Sequence, residues 1–126
     1  MTSKNILCVV SLLGLMLGAQ TALAASAAVR EMAGIVMHLN HFPSDAGKVK
    51  LKGIVDNKGS TEQERVLATA IANLQHQPAS GDIDKLKKVM NDAAAPAEVR
   101  ELAGIILNIN HKASAADKGK LEQMMK

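Results

Sequence analysis

The stretch VREMAGIVMHLNH, Val29 to His41, returns almost unchanged as VRELAGIILNINH, Val99 to His111. Halfway between them, residues 64–76 read ERVLATAIANLQH, which keeps an arginine, an alanine and a histidine at the same places. The copies are therefore spaced by 35 residues, and no insertion interrupts the register. A fixed period of this length is typical of repeat proteins in which each repeat is one supersecondary unit. The sequence predicts a single domain of repeats at 25–59, 60–94 and 95–126.

Each repeat is predicted to begin with an apolar helix. In the first repeat the apolar side chains at helical spacing are Val29, Met32, Ala33, Val36 and Leu39. Ile35 and Met37 add apolar side chains to other faces, which is typical of a helix packed at the centre of a fold. Start signals are Ser26, Ser60-Thr61 with Gln63 and Glu64 behind them as a candidate capping box, and Pro96. We expect these helices to end near the repeated histidine, because Pro43 and Pro78 then prevent continuation.

A second, one-sided helix is predicted to complete each repeat. Its apolar stripes are Leu51, Ile54 and Val55, then Leu86, Val89 and Met90, then Leu121, Met124 and Met125. Ser44, Ser80 and Ser114 are the expected N-caps, and lysines cover the opposite side. The fold class is therefore all-α, with six helices in three tandem hairpins. The pattern leaves open whether the hairpins stack as a small α-solenoid or close into a compact helical bundle.

The first residues have the composition of an export signal. Lys4 precedes an apolar run from Ile6 to Leu17, and Ala22-Leu23-Ala24 forms a small-residue cleavage site. We expect residues 1–24 to be cleaved and the protein to be periplasmic or secreted. The chain's one cysteine, Cys8, would leave with this segment, and an export product without disulfides favours a bacterial source. No later apolar run approaches the roughly 20 residues of a spanning helix, so we expect no integral membrane segment after cleavage.

Composition and motifs argue against several function classes. The formal net charge of +3 is too small for the basic surface of a nucleic-acid binder. The chain has no cysteine nucleophile after Cys8, no glycine-rich phosphate loop and no evident catalytic triad. We therefore expect a protein that is not an enzyme and needs no cofactor.

The first functional hypothesis is a protein-interaction or homo-oligomerising module. In an open array the terminal repeats normally present a polar outer face, but the first helix is as apolar as its later copy. We expect an exposed patch, able to bind a protein partner or a second copy, formed by Arg30, Met32, Ile35, Val36 and Leu39, with Met124 and Met125 at the other end.

The alternative hypothesis is a metal-binding protein. Met37, His38 and His41 fall within about one helical turn, and thioether and imidazole groups together suit copper, with zinc as the other candidate. The counterparts of Met37 and His38 in the other repeats cannot ligate. This set would therefore be specific to the first repeat.

Two polar residues, a histidine and an arginine, recur at equivalent positions in all three repeats. Packed helices lie 8–10 Å apart, so we expect His41, His76 and His111 to form a ladder at about that spacing or more, too far apart to share one ion. We therefore expect each to bond the carbonyls at a helix end. Among the repeated arginines, we expect Arg65 to pair with Asp56 and Arg100 with Asp92, each an acidic residue of the preceding repeat. Arg30 has no preceding repeat and is expected to lack such a partner.

Overall fold

A computed structural model describes residues 25–126, and the expected export signal at 1–24 lies outside the described residues. Within that range the fold is all-helical, as predicted, with no β-strand. The helices are α1 (Ala27–Met37), α2 (Asp45–Asp56), α3 (Glu62–Ala72), α4 (Ser80–Met90), α5 (Ala97–Leu107) and α6 (Ala115–Met124). Each repeat therefore contributes one helical hairpin.

The helix starts follow local capping chemistry. Ser26, Ser44 and Ser114 each accept a hydrogen bond from the backbone N–H three residues later. Thr61 and Glu64 form the predicted capping box at the start of α3. The prediction for α4 is wrong by one residue, because its N-cap is Ala79 and Ser80 is already helical. Ala79 has no side-chain oxygen, so this helix start lacks the cap that the other second helices have.

The hairpins close into a ring. The first helices of the repeats, α1, α3 and α5, pack against one another at the centre. Each second helix packs mainly on the first helix of the following repeat, so that α2 lies on α3 and α4 on α5. Helix α6 completes the series by packing on α1. The arrangement is therefore a compact bundle with a pseudo-threefold axis, and the open stack is excluded.

Two glycines on the central helices show that α6 packs on α1 in the same way as α4 packs on α5. A Cβ atom added to Gly104 of α5 would lie 3.4 Å from Met90 Sδ, at the end of α4. A Cβ atom added to Gly34 of α1 would lie 3.5 Å from Met125 Cε, just after α6. The contact between the second and third hairpins is thus repeated between the third and the first, as a closed ring requires.

Closure overturns the expected exposed patch. Met32, Val36, Leu39 and Met124 are at most 6% exposed, because α1 and α6 cover each other. Ile35 is half-buried, and Arg30 and Met125 keep exposed side chains. The reasoning from a missing polar cap fails because a ring has no terminal repeat.

No helix in the part of the chain that the structure describes is long and apolar enough to cross a membrane.

Candidate functional site: a ring of three histidines

The repeated histidines lie in tight turns, beyond the helix ends. Helices α1, α3 and α5 end at Met37, Ala72 and Leu107, so the expectation that each histidine terminates a helix is wrong. His41, His76 and His111 have φ values of 70°, 69° and 71°, in the left-handed region. Around the first of them, the Phe42 N–H donates to the Asn40 carbonyl at 2.8 Å, which makes a γ-turn of the rare positive-φ type.

A cycle of backbone hydrogen bonds joins the turns. The His76 N–H donates to the His41 carbonyl, the His111 N–H to that of His76, and the His41 N–H to that of His111, each at 2.6 Å. Every histidine therefore both donates and accepts within the cycle. Such a cycle forms only where three turns meet around one axis, so the closed packing of the helices positions it.

The side chains converge on the same axis. The imidazole centroids are 4.8–5.1 Å apart, with edge-to-face ring planes. Nδ1 of His41 lies 3.1 Å from Nδ1 of His76. One ligand nitrogen from each histidine can be chosen so that all three lie within 4.8 Å of one another. The predicted ladder is wrong, because closure brings the turns together at the axis where a stack would separate them.

These distances can be compared with a zinc site. Tetrahedral zinc with Zn–N bonds of 2.0–2.1 Å places its nitrogen ligands about 3.3 Å apart. The His41–His76 separation of 3.1 Å is already close to that value. The longest separation has to shorten by at most roughly 1.5 Å, which an imidazole achieves by rotating about its side-chain torsions. His41 is half-buried and the other two rings are exposed, so that rotation is not blocked by core packing.

The turns that carry the histidines contain no acidic side chain. Asn110 Oδ1 lies 2.9 Å from Nδ1 of His111, where it can accept the proton of that nitrogen and leave Nε2 as the ligand. No carboxylate belongs to this cluster of donor side chains, and the turns at 40–44, 75–79 and 110–114 contain no Asp or Glu. Lys112 follows His111 directly. The residues of the turns themselves therefore offer no negative charge to a bound cation.

The set Met37, His38 and His41 shares only His41 with this ring. Met37 is half-buried and packs against the core. His38 is the exposed C-cap of α1 and lines a groove of the first hairpin with Arg30 and Ile35. The sequence did contain the signal for the ring, since the histidine recurs in all three copies. Its convergence was missed because it depends on closure.

The side chains of the three repeated arginines donate to backbone carbonyls. Arg65 donates to the carbonyls of Val55 and Asn57, at 3.2 and 2.9 Å. Arg100 donates to the Ala95 carbonyl and Arg30 to that of Ala25. The expected Asp56–Arg65 pair is wrong, because Asp56 pairs with Lys52 at 2.7 Å. The arginines thus fix the segment that precedes each central helix.

No family model matches this chain, and neither a curated protein nor a solved structure matches it significantly. Its class is therefore described by its own geometry. It is a closed ring of three helical hairpins with a histidine triad on the pseudo-threefold axis.

Proposed function

We propose that this protein binds one transition-metal ion, zinc or copper, through His41, His76 and His111. The observation that carries the proposal is the approach of three imidazole nitrogens, one from each hairpin, to within 4.8 Å. Neutral imidazole is a preferred ligand of both metals. Export to the periplasm or the outside of the cell, expected from residues 1–24, would expose the site to environmental metal.

The positive φ angles of the three histidines support a functional role for their imidazole side chains. A φ near 70° strains a residue with a Cβ atom, and asparagine, aspartate and histidine are the side chains found there more often. Glycine, asparagine or aspartate would serve the turn as well, so the turn alone does not select histidine three times. The residue that follows each histidine differs in every copy, as Phe42, Gln77 and Lys112, while the imidazole is retained. A shared ligand accounts for this combination of strain and identity.

The exposure of the rings favours an exchangeable ion. Structural zinc sites are closed by four protein ligands, whereas sites with three protein ligands keep a position for water or another molecule. Two of the three imidazoles are exposed. The fold also has an apolar core of its own, formed by all six helices. We therefore assign the metal to binding or transfer by a folded protein, with no requirement for metal in folding.

Metal titration of purified protein tests the proposal. We expect one equivalent of Zn(II) or Cu(II) to bind, measured by calorimetry and native mass spectrometry. Loss of one ligand in His76→Ala or His111→Ala should weaken binding by roughly 100-fold or more, since even second-shell changes cost 10–100-fold. His38→Ala is the matched control, because His38 is exposed and lies outside the ring.

The same variants separate the two metal hypotheses. If His38→Ala abolishes binding while His76→Ala and His111→Ala bind as the wild type does, the ligands are Met37, His38 and His41 and the ring proposal is wrong. Equal binding by all three variants would mean that neither set holds the ion.

A protein-interaction module remains the second candidate. One observation favours it: an open groove of about 600 Å³ on the first hairpin, lined in part by Arg30, Ile35 and Leu39. Phe42 also lines this groove and is 55% exposed. The groove could accept apolar side chains of a protein partner or of a second copy.

Native mass spectrometry and a pull-down with Ile35→Glu test this candidate. Loss of a captured partner, or of a dimer, in Ile35→Glu would support it. Val49→Glu is the matched control, since Val49 is 72% exposed and lies outside the groove. A monomer that captures nothing, with or without Ile35→Glu, would contradict it.

A further inference from the structure

We propose that the metal held by the histidine ring takes a small oxyanion, bound through one oxygen, as its fourth ligand. This inference rests on the proposed metal-binding function and adds the chemistry of the molecule that the site would bind. Carboxylates, phosphate and carbonate share that chemistry.

The first argument is charge. Three neutral imidazoles leave the full charge of a divalent ion in place, and the donor cluster contains no carboxylate. The turns that carry the histidines contain no acidic residue, and Lys112 adds a positive charge beside His111. An oxyanion that enters the coordination sphere brings its negative charge with it, whereas a water molecule neutralises the ion only by losing a proton.

The second argument is access. The residues two positions before the histidines, Leu39, Leu74 and Ile109, are buried in the core. The histidine carbonyls are occupied by the backbone cycle, so they are not free to ligate. Buried residues therefore lie close to the ring along the chain, while His76 and His111 are themselves exposed. The remaining position of an ion bound by the three imidazoles would be open to solvent.

The third argument is the set of polar side chains next to the histidines in the turns, which we call the rim. Asn40, Gln75 and Asn110 directly precede the histidines and are exposed, so their amide groups are free to donate to an anion that reaches the ring. Lys112 adds a charged side chain directly after His111, and its counterparts in the other hairpins are Phe42 and Gln77. Donors of this kind favour an oxyanion over a neutral ligand.

Cobalt substitution tests the inference. Co(II) replaces zinc at tetrahedral sites, and its visible absorption responds to the ligand in the open position. Acetate and phosphate are titrated separately at constant ionic strength into the Co(II)-loaded protein. We expect a saturable spectral change corresponding to one anion per cobalt. Lys112→Gln should weaken anion binding by about threefold at low ionic strength, as expected for the loss of a single exposed charge.

Lys58→Gln is the matched control for Lys112→Gln. Lys58 is an exposed lysine just beyond the far end of α2, a helix about 18 Å long whose other end adjoins the first histidine turn. It should leave anion binding unchanged. A weakening equal to that of Lys112→Gln would assign the effect to net charge and contradict the rim argument.

The outcomes separate this inference from the function on which it rests. If Co(II) binds but neither acetate nor phosphate changes its absorption spectrum, the fourth ligand is water or protein. The inference is then wrong, while metal binding stands. If native mass spectrometry shows two chains sharing the metal, a second copy supplies the ligand and the inference is also wrong. If Co(II), Zn(II) and Cu(II) all fail to bind, both proposals are wrong.

Discussion

A histidine with φ near 70° is strained, and this chain repeats that strain at His41, His76 and His111. For a residue with a Cβ atom the left-handed conformation costs about 1–2 kcal/mol. Glycine avoids this cost, although it loses roughly 0.5–1 kcal/mol through the greater entropy of the unfolded chain. The backbone of these turns would therefore accept glycine, and metal binding supplies a reason for histidine.

Glycine at the second turn tests this argument. We expect His76→Gly to be as stable as the wild type, or more stable by up to about 1 kcal/mol, in denaturant unfolding without metal. His76→Val should lose about 2 kcal/mol or more, because a β-branched side chain is poorly tolerated at positive φ. If His76→Gly is clearly less stable than the wild type, the imidazole is structural and the functional interpretation of the strain is wrong.

Asp92 carries the resolved pKa shift of the described residues. The Ala94 N–H donates to Asp92 Oδ1 at 2.9 Å, and Gln63 donates to Oδ2 at 3.1 Å. These hydrogen bonds, with a smaller contribution from the charge of Arg100, lower the pKa of Asp92 below its ordinary value of 3.8. Both hydrogen bonds favour the ionised form.

The sign of this shift predicts a pH dependence. Because the folded-state pKa is below the unfolded-state value, the ionised carboxylate stabilises the fold at all pH values above about 4. That contribution disappears as the pH falls through the lowered pKa. We therefore expect Asp92→Asn to be less stable than the wild type at pH 7 and the difference to shrink below pH 4, measured by urea unfolding. A difference that grows on acidification would contradict the assignment.

Individual helices differ in how well their ends are capped. The second helices α2 and α6 begin with Ser44 and Ser114, whose hydroxyls accept from the N–H groups of Gly47 and Asp117. The repeat register places Ala79 at the corresponding position of α4, where no side-chain cap is made. The backbone φ and ψ at Ala79, −67° and 143°, are already those of an N-cap in the extended region.

Serine at this position should therefore stabilise the fold. We expect Ala79→Ser to raise the free energy of unfolding by about 0.5–1 kcal/mol, because its hydroxyl can accept from the Asp82 N–H. Ala93→Ser, at an exposed alanine between helices, is the control and should change stability by less than about 0.5 kcal/mol. An equal effect of both serines would show that capping is not the cause.

At the scale of the whole molecule, closure is the decisive feature. Helix α6 lies against α1 as the other second helices lie against the next central helix. Met124 is consequently 6% exposed, although it is near the end of the described chain, while its neighbour Met125 is 41% exposed. In an open stack α6 would not lie against α1, and that helix would not cover its apolar stripe.

Neighbouring methionines test the closing contact. We expect Met124→Ala to lower the free energy of unfolding by about 2–5 kcal/mol, as for a core methionine. Met125→Ala is the matched control and should cost about 1 kcal/mol or less, because much of its side chain remains in solvent. Equal and small losses for both variants, measured by thermal or urea unfolding, would mean that α6 does not close the ring.

The sequence by itself determined the features that depend on local chemistry. The period of 35 residues, the apolar stripes of Val29 and Leu51, and the caps at Ser26 and Thr61 predicted three helical hairpins. Those signals come from residues within a few positions of one another. Even there, an exchange of alanine and serine between positions 79 and 80 was enough to shift one predicted cap.

Only the tertiary structure decided how the hairpins meet. Whether helical repeats form an open superhelix or a ring depends on the rotation between successive units, which is small in an open solenoid and about 120° in a ring of three. Here the rotation closes after the third unit, which buries Met32 and Val36 and brings His41, His76 and His111 to one axis. This rotation is set by contacts between residues of different repeats, so it leaves no mark in local sequence periodicity. The sequence could therefore supply three histidines, but their meeting point depended on the packing of every hairpin against the next.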